Sequence, residues 1–131
     1  MKSYEDLLLL AKGASKNSYS PYSGFSVGAA VLYESGNVYT GCNVENVSYG
    51  LSLCAERSAM ASAINSSEKT FIKAIAIYSP KQKRCMPCGA CRQWLQEFSK
   101  NNIDIVLEGD DSTPLILTLD DIFPYGFKFE K

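Results

Sequence analysis

An alternation in the middle of the chain constrains the fold most. From residue 38 to residue 107 the chain reads strand, helix, strand, helix, strand. Residues 38–42 carry strand-type residues. Residues 54–64 are rich in Ala, Glu, Arg and Met, which favour helix. Residues 71–78 form a near-continuous apolar run, as in a strand buried on both faces. Pro87 is expected to open a helix running to about residue 99, and residues 103–107 read as a strand. Strands joined through helices pair in parallel, because the crossover needs that length of chain.

The flanking segments complete the pattern. Residues 25–32 and 38–42 read as strands joined across Glu34-Ser35-Gly36-Asn37, a hairpin signal. Residues 3–16 read as a helix capped by Ser3, with Asp6 three residues on and Leu7, Leu8, Ala11 and Ala14 on one side. Residues 115–119 supply a fifth strand, and Asp120, Asp121 and Pro124 lead into an aromatic tail. The expected fold class is α/β: a three-layer α/β/α arrangement around a mixed five-stranded sheet. The 131 residues suit one domain, no repeat or linker divides them, and one domain is expected over 1–131.

Composition narrows the function. The net charge is −1 and no basic stripe runs along the chain; Lys81, Lys83 and Arg84 form only a short cluster. A nucleic-acid-binding surface needs more positive charge than that, so a small neutral molecule is the expected partner and nucleic acid is not. The apolar run 7–11 follows Glu5 and Asp6 and is too short to span a bilayer. No membrane partner is expected, and the reading is a cytoplasmic protein. Five cysteines cannot close a complete disulfide framework, and clustered thiols in a reducing compartment point to metal or catalysis. There is no histidine. Any metal therefore falls to Cys, Asp or Glu, and acid–base work to a carboxylate, Tyr, Lys or Cys.

Two stretches carry the chemistry: Cys54-Ala55-Glu56-Arg57 and Pro87-Cys88-Gly89-Ala90-Cys91-Arg92-Gln93. On a helix, Cys88 and Cys91 share a face, with Cβ atoms roughly 5–6 Å apart, and one Zn²⁺ can take both thiolates. Gly89 is read as permitting close approach of the chain. Cys54 would be a third ligand, leaving a fourth position open for water as in a catalytic site. A fourth cysteine would close the site, and both Cys42 and Cys85 are available. Cys85 precedes Met86-Pro87, where helical dihedrals are disfavoured; Cys42 ends a strand and suits a small buried hydrophobe. Glu56 stands two residues from Cys54, which works only if Cys54 sits at the very start of its helix. Zinc lowers the pKa of bound water from about 16 toward 7. Glu56 can take that proton and pass it on to a reacting group. Arg57 is expected to hydrogen-bond a thiolate and offset the site's negative charge.

Together these stretches strongly resemble the cytidine deaminases of the small, homotetrameric class. Similarity extends to Tyr19-Ser20-Pro21-Tyr22-Ser23-Gly24-Phe25, to Gly41-Cys42-Asn43-Val44-Glu45-Asn46, and to the tail Phe123-Pro124-Tyr125-Gly126-Phe127. The resemblance implies one zinc per chain held by Cys54, Cys88 and Cys91, with Glu56 as proton shuttle. It implies a substrate site of Phe25 against the pyrimidine and Asn43 and Glu45 on the ribose hydroxyls, with Val44 and Ala55 in the same stretches. It implies that Phe127 enters a neighbouring subunit's site, so that four subunits share four sites. The activity implied is hydrolysis of cytidine and deoxycytidine to uridine and deoxyuridine, with release of ammonia. Three other readings stand beside it: a deaminase of another cytosine compound such as blasticidin S, a polynucleotide-editing deaminase, and a non-catalytic zinc clip.

Overall fold

The computed structural model describes residues 3–111 and 113–129. The first helix, α1 (Tyr4–Ser15), begins at Ser3, whose hydroxyl accepts from the Asp6 amide at 3.1 Å. A hairpin follows, β1 (Gly28–Tyr33) and β2 (Val38–Cys42), turning through Gly36 at φ 90°. Helix α2 (Ala55–Asn65) leads to β3 (Ile72–Tyr78), and α3 (Gly89–Glu97) leads to β4 (Ser99–Glu108). Then come β5 (Pro114–Thr118) and the short α4 (Leu119–Ile122).

The five strands lie in the order β2-β1-β3-β4-β5. Only β3 and β4 pair in parallel, joined through α3; every other neighbouring pair is antiparallel. This is the expected mixed five-stranded sheet, but the strands joined through α2 do not pair as expected: β1 lies between β2 and β3 and pairs antiparallel with both. Side chains alternate across it. Val31, Tyr33, Ile75, Ile77, Ile105 and Leu107 face one side, where Ala59 and Met60 of α2, Leu95 of α3 and Leu119 of α4 cover them. Ala30, Leu32, Ala74, Ala76 and Val106 face the other, under Leu7 and Ala11 of α1. Cover on both faces explains why the central strands read as near-continuous apolar runs.

Two glycines set the distance between layers. A Cβ on Gly28 would collide with the Ala11 carbonyl and stand 2.5 Å from the Ser15 nitrogen, so α1 rests directly on the β1 backbone. A Cβ on Gly41 would stand 2.8 Å from the Ala55 carbonyl and 2.9 Å from the Ala59 Cα, so α2 rests on β2 in the same way. The second contact matters for function, because it fixes the first turn of α2 against the sheet.

Several boundaries differ from the sequence reading. The first strand begins at Gly28 rather than residue 25, because the Asn43 side chain replaces a ladder partner there. Its Oδ1 accepts from the Val27 amide at 2.9 Å, and its Nδ2 donates to the Phe25 carbonyl at 2.8 Å. Helix α3 starts at Gly89, with Cys88 as its extended N-cap and Pro87 outside it. It stops at Glu97, and β4 begins at Ser99, paired with Ile72. Helix α4 adds a turn beyond the expected elements; a capping box between Thr118 and Asp121 starts it.

Candidate active site

The loops at one end of the sheet bring the two cysteine stretches together. Cys54 is the N-cap of α2, in extended conformation, and Cys88 is the N-cap of α3. Both helix N-termini, with their partial positive charge, therefore meet at the same spot. The Sγ atoms of Cys54, Cys88 and Cys91 all lie within 4.8 Å of one another. Cys54 to Cys88 is 3.7 Å and Cys88 to Cys91 is 3.4 Å. A tetrahedral ion with Zn–S bonds of about 2.3 Å separates its sulfurs by about 3.8 Å. The trio therefore fits one zinc ion with little movement, and three ligands leave one tetrahedral corner free.

The fourth-ligand question has a clear geometric answer. Among the described residues, neither Cys42 nor Cys85 joins the group of sulfurs. Cys85 is buried, and burial first, then the negative charge of Glu56 and Cys54, pushes its thiol up to about 11. It is held as a neutral thiol. Cys54 behaves oppositely. A hydrogen bond from the Cys91 thiol, and then one from Arg57, bring its pKa down to about 5. The Arg57 Nη2 lies 3.4 Å from the Cys54 sulfur, the contact expected of it. Cys91, fully buried and donating to Cys54, is correspondingly shifted upward.

Glu56 occupies the first turn of α2, just inside the capping position of Cys54. That placement meets the geometric demand read from the spacing: Cys54 precedes the helix, so the two side chains turn toward one centre. Glu56 is 4% exposed, and burial raises its carboxyl to about 7. Desolvation dominates, with the Cys54 charge adding to it. A carboxyl balanced near neutrality can both accept and return a proton.

A cavity of about 260 Å³ opens in front of this group. Phe25, Asn43, Glu45, Cys54, Ala55 and Glu56 all line it, joined by Cys85, Met86 and Cys88. Val27, Ser52 and Leu53 also line it and carry no sequence motif that would reveal them. Phe25 is half-buried at the wall. Asn43 is committed to the loop around it, since its Oδ1 also accepts from the Ser18 hydroxyl at 2.5 Å. Glu45 accepts from the Tyr22 amide at 3.0 Å, the Ser23 amide at 3.1 Å and the Ser23 hydroxyl. The Ser23 hydroxyl contributes most to holding its pKa low. Both residues brace the 18–27 loop over the cavity as well as facing it.

Two expected site residues stand apart. Val44 is 43% exposed and bridges Tyr19 and Leu53 through its backbone. Phe127 is 71% exposed and is not among the residues lining this chain's cavity. A Cβ on Gly89 would meet nothing within 4 Å, so the close approach expected there is made by Gly41 instead.

Fold and site together define a three-layer α/β protein with three cysteine sulfurs that could hold one metal ion, a buried carboxyl group beside them and a small cavity in front. Residues 1–107 match the model of the cytidine and deoxycytidylate deaminase zinc-binding region, and the chain belongs to this family. The cytidine deaminase of Sporosarcina psychrophila is 42% identical over 103 residues, covering 79% of this chain and 75% of that one. The cytidine deaminase of Mycobacterium tuberculosis is 51% identical over 93 residues, covering 71% and 69%. The crystal structure of cytidine deaminase from Burkholderia pseudomallei superposes with a TM-score of 0.87 at 38% identity, covering 96% of this chain and all of that one.

Proposed function

We propose that the protein is a cytidine deaminase, hydrolysing cytidine and deoxycytidine to uridine and deoxyuridine with release of ammonia. One observation carries the reading: three sulfurs spaced for a single zinc share a cavity with a buried carboxylate from the same helix start. A purely structural zinc clip needs neither the carboxylate nor the cavity. Blasticidin S would need room and partners for a larger appendage, and the Asn43–Glu45 wall suits a plain sugar diol better.

Zinc held by Cys54, Cys88 and Cys91 supplies the Lewis acidity that makes water a nucleophile near neutral pH. Glu56 takes the proton that water gives up as its oxygen bonds to C4 of the pyrimidine. The same carboxyl delivers that proton to the ring nitrogen, then takes the second proton from the oxygen now on C4 and gives it to the departing amine as the C4–N bond breaks. Ammonia leaves and the carbonyl of uracil remains, so one water is consumed per ammonia released. Burial of Glu56 keeps its proton affinity high enough for both directions of transfer. Arg57 stabilises the Cys54 thiolate and offsets the charge of three sulfurs on one ion. Phe25 offers a flat apolar face to the base, and Asn43 and Glu45 face the ribose hydroxyls. Ala55 completes the wall, while Val44 holds Asn43 and Glu45 in place through its backbone bridges.

The proposal extends to assembly and place. Phe127, exposed here, is read as entering a neighbouring subunit's cavity, in a homotetramer with shared sites. Tyr125 and Phe129, both largely exposed beside it, support a covered tail in the assembly. One deaminase domain is read over 1–131, and a reducing, cytoplasmic location fits the five free thiols. No helix among the described residues is long and apolar enough to cross a membrane.

The direct experiment follows the ultraviolet absorbance of cytidine mixed with purified protein carrying one zinc per chain. Conversion to uridine is expected. No turnover from zinc-loaded protein would remove the proposal.

A further inference from the structure

Helix α3 does more than supply Cys91. Three of its side chains grip the C-terminal segment by its backbone. Arg92 donates to the Pro87 carbonyl at 2.8 Å and to the Ile122 carbonyl at 2.6 Å, tying the metal loop to the end of α4. Gln93 Nε2 donates to the Phe127 carbonyl at 3.0 Å, and Gln96 Nε2 donates to the same oxygen. Two amides from neighbouring turns of one helix therefore converge on one carbonyl far away in sequence.

The tail is shaped to reach that grip. Tyr125 turns through the left-handed region at φ 58°. Gly126 packs so tightly under Gln96 and the Phe123 ring that a Cβ there would overlap both. The chain is thus folded back onto α3 at residue 126 and released at Phe127, whose side chain is exposed. An unanchored tail would have no reason to present its backbone inward and its aromatic ring outward. Ordering such a segment carries an entropy cost for every residue held, which the two hydrogen bonds and the Gly126 packing offset.

We propose that Gln93 and Gln96 are positioning residues for the deaminase reaction: by clamping the Phe127 carbonyl they fix the direction in which the Phe127 ring leaves the subunit. This rests on the reading that Phe127 completes a neighbour's substrate site. On that basis the helix carrying Cys91 in one subunit also aims an aromatic wall at the substrate of the next. The glutamines touch no reacting atom, so their influence is on substrate binding rather than on proton transfer.

The test is a double-mutant cycle with cytidine as substrate, using the zinc-loaded full chain. The variants are Gln93→Met/Gln96→Met, Phe127→Ala and the combination. Methionine keeps the length and apolar stem of glutamine and removes the amide. Loss of the clamp is expected to raise KM about tenfold with kcat within about twofold, a ground-state binding effect. Phe127→Ala is expected to raise KM at least as much, and the combined variant no further, since the glutamines act through the ring. Zinc per chain and the urea unfolding midpoint report on α3 itself and are expected to stay near wild type. A wild-type KM in Gln93→Met/Gln96→Met, with a raised KM in Phe127→Ala, would overturn the clamp and leave the Phe127 reading intact. Full additivity in the combined variant, or zinc loss in the glutamine variant, would also overturn it, because the glutamines would then act through the helix. A wild-type KM in Phe127→Ala would remove the Phe127 reading and the clamp's catalytic relevance with it.

Discussion

Gly41→Ala probes how tightly catalysis depends on one backbone contact. Gly41 lies in β2, paired with Ala29, and faces the first turn of α2. An added Cβ would stand 2.8 Å from the Ala55 carbonyl, where ordinary contact begins at 3.4 Å, and the Ala59 nitrogen is closer still. Both obstacles are backbone, so no rotamer change relieves them. The start of α2 must retreat by at least about 0.6 Å, taking Cys54 and Glu56 with it. Overpacking of this kind costs about 1–3 kcal/mol, and misplacement of a catalytic group on the ångström scale costs on the order of 10–100-fold in rate. Urea unfolding at fixed protein and zinc concentration reads the first effect, and cytidine turnover by ultraviolet absorbance reads the second. Gly13→Ala is the matched control. It sits in α1 with nothing within 4 Å of its Cβ position, and alanine there is expected to stabilise by about 0.5–1 kcal/mol without changing turnover. Wild-type stability and turnover in Gly41→Ala would refute the claim that this contact sets the position of Glu56.

Two further outcomes follow from particular groups. Glu68 is buried and accepts from Ser35, Asn37, Tyr39 and Thr70, stapling the β1–β2 turn to the loop after α2. Those hydrogen bonds, Thr70's first, hold its pKa at about 2, below the ordinary carboxyl value of 4.5. A depressed carboxylate stabilises the fold fully above the unfolded pKa and loses that contribution as pH falls through the folded one. Stability should therefore decline between pH 4.5 and about 2, and Glu68→Gln should flatten that decline while costing about 1–2 kcal/mol at pH 7 after solvent screening. Cys85→Ser should leave zinc at one per chain by metal analysis, because Cys85 stands outside the sulfur trio; a metal-free product would mean a closed four-sulfur site.

Much of this architecture is legible in the sequence because the deciding forces are local or periodic. The apolar runs of β3 and β4, the Ser3 cap and the Gly36 turn each announce themselves within a few residues. The Cys88–Cys91 spacing is equally local. What is not legible is long-range. Nothing near Phe25 indicates that the Asn43 amide, and not a strand, pairs with residues 25 and 27. Pro87 suits the first turn of a helix, yet the chain stays extended through Cys88, which caps α3 and meets Cys54 across the sheet end. The start of α4 is readable in principle, since Thr118 and Asp121 have the spacing of a capping box. The Gln93–Gln96 grip on Phe127 has no sequence signature at all, because the tail returns to α3 only after the sheet is complete.

Catalysis turns on Glu56 working beside a metal it does not hold. Glu56→Gln keeps the side chain's shape and removes its ability to shuttle protons. Metal analysis and cytidine turnover on the same preparation separate the two roles. One zinc per chain is expected, with a loss of turnover of at least about 100-fold. Loss of the zinc, or turnover near wild type with zinc retained, would contradict that role.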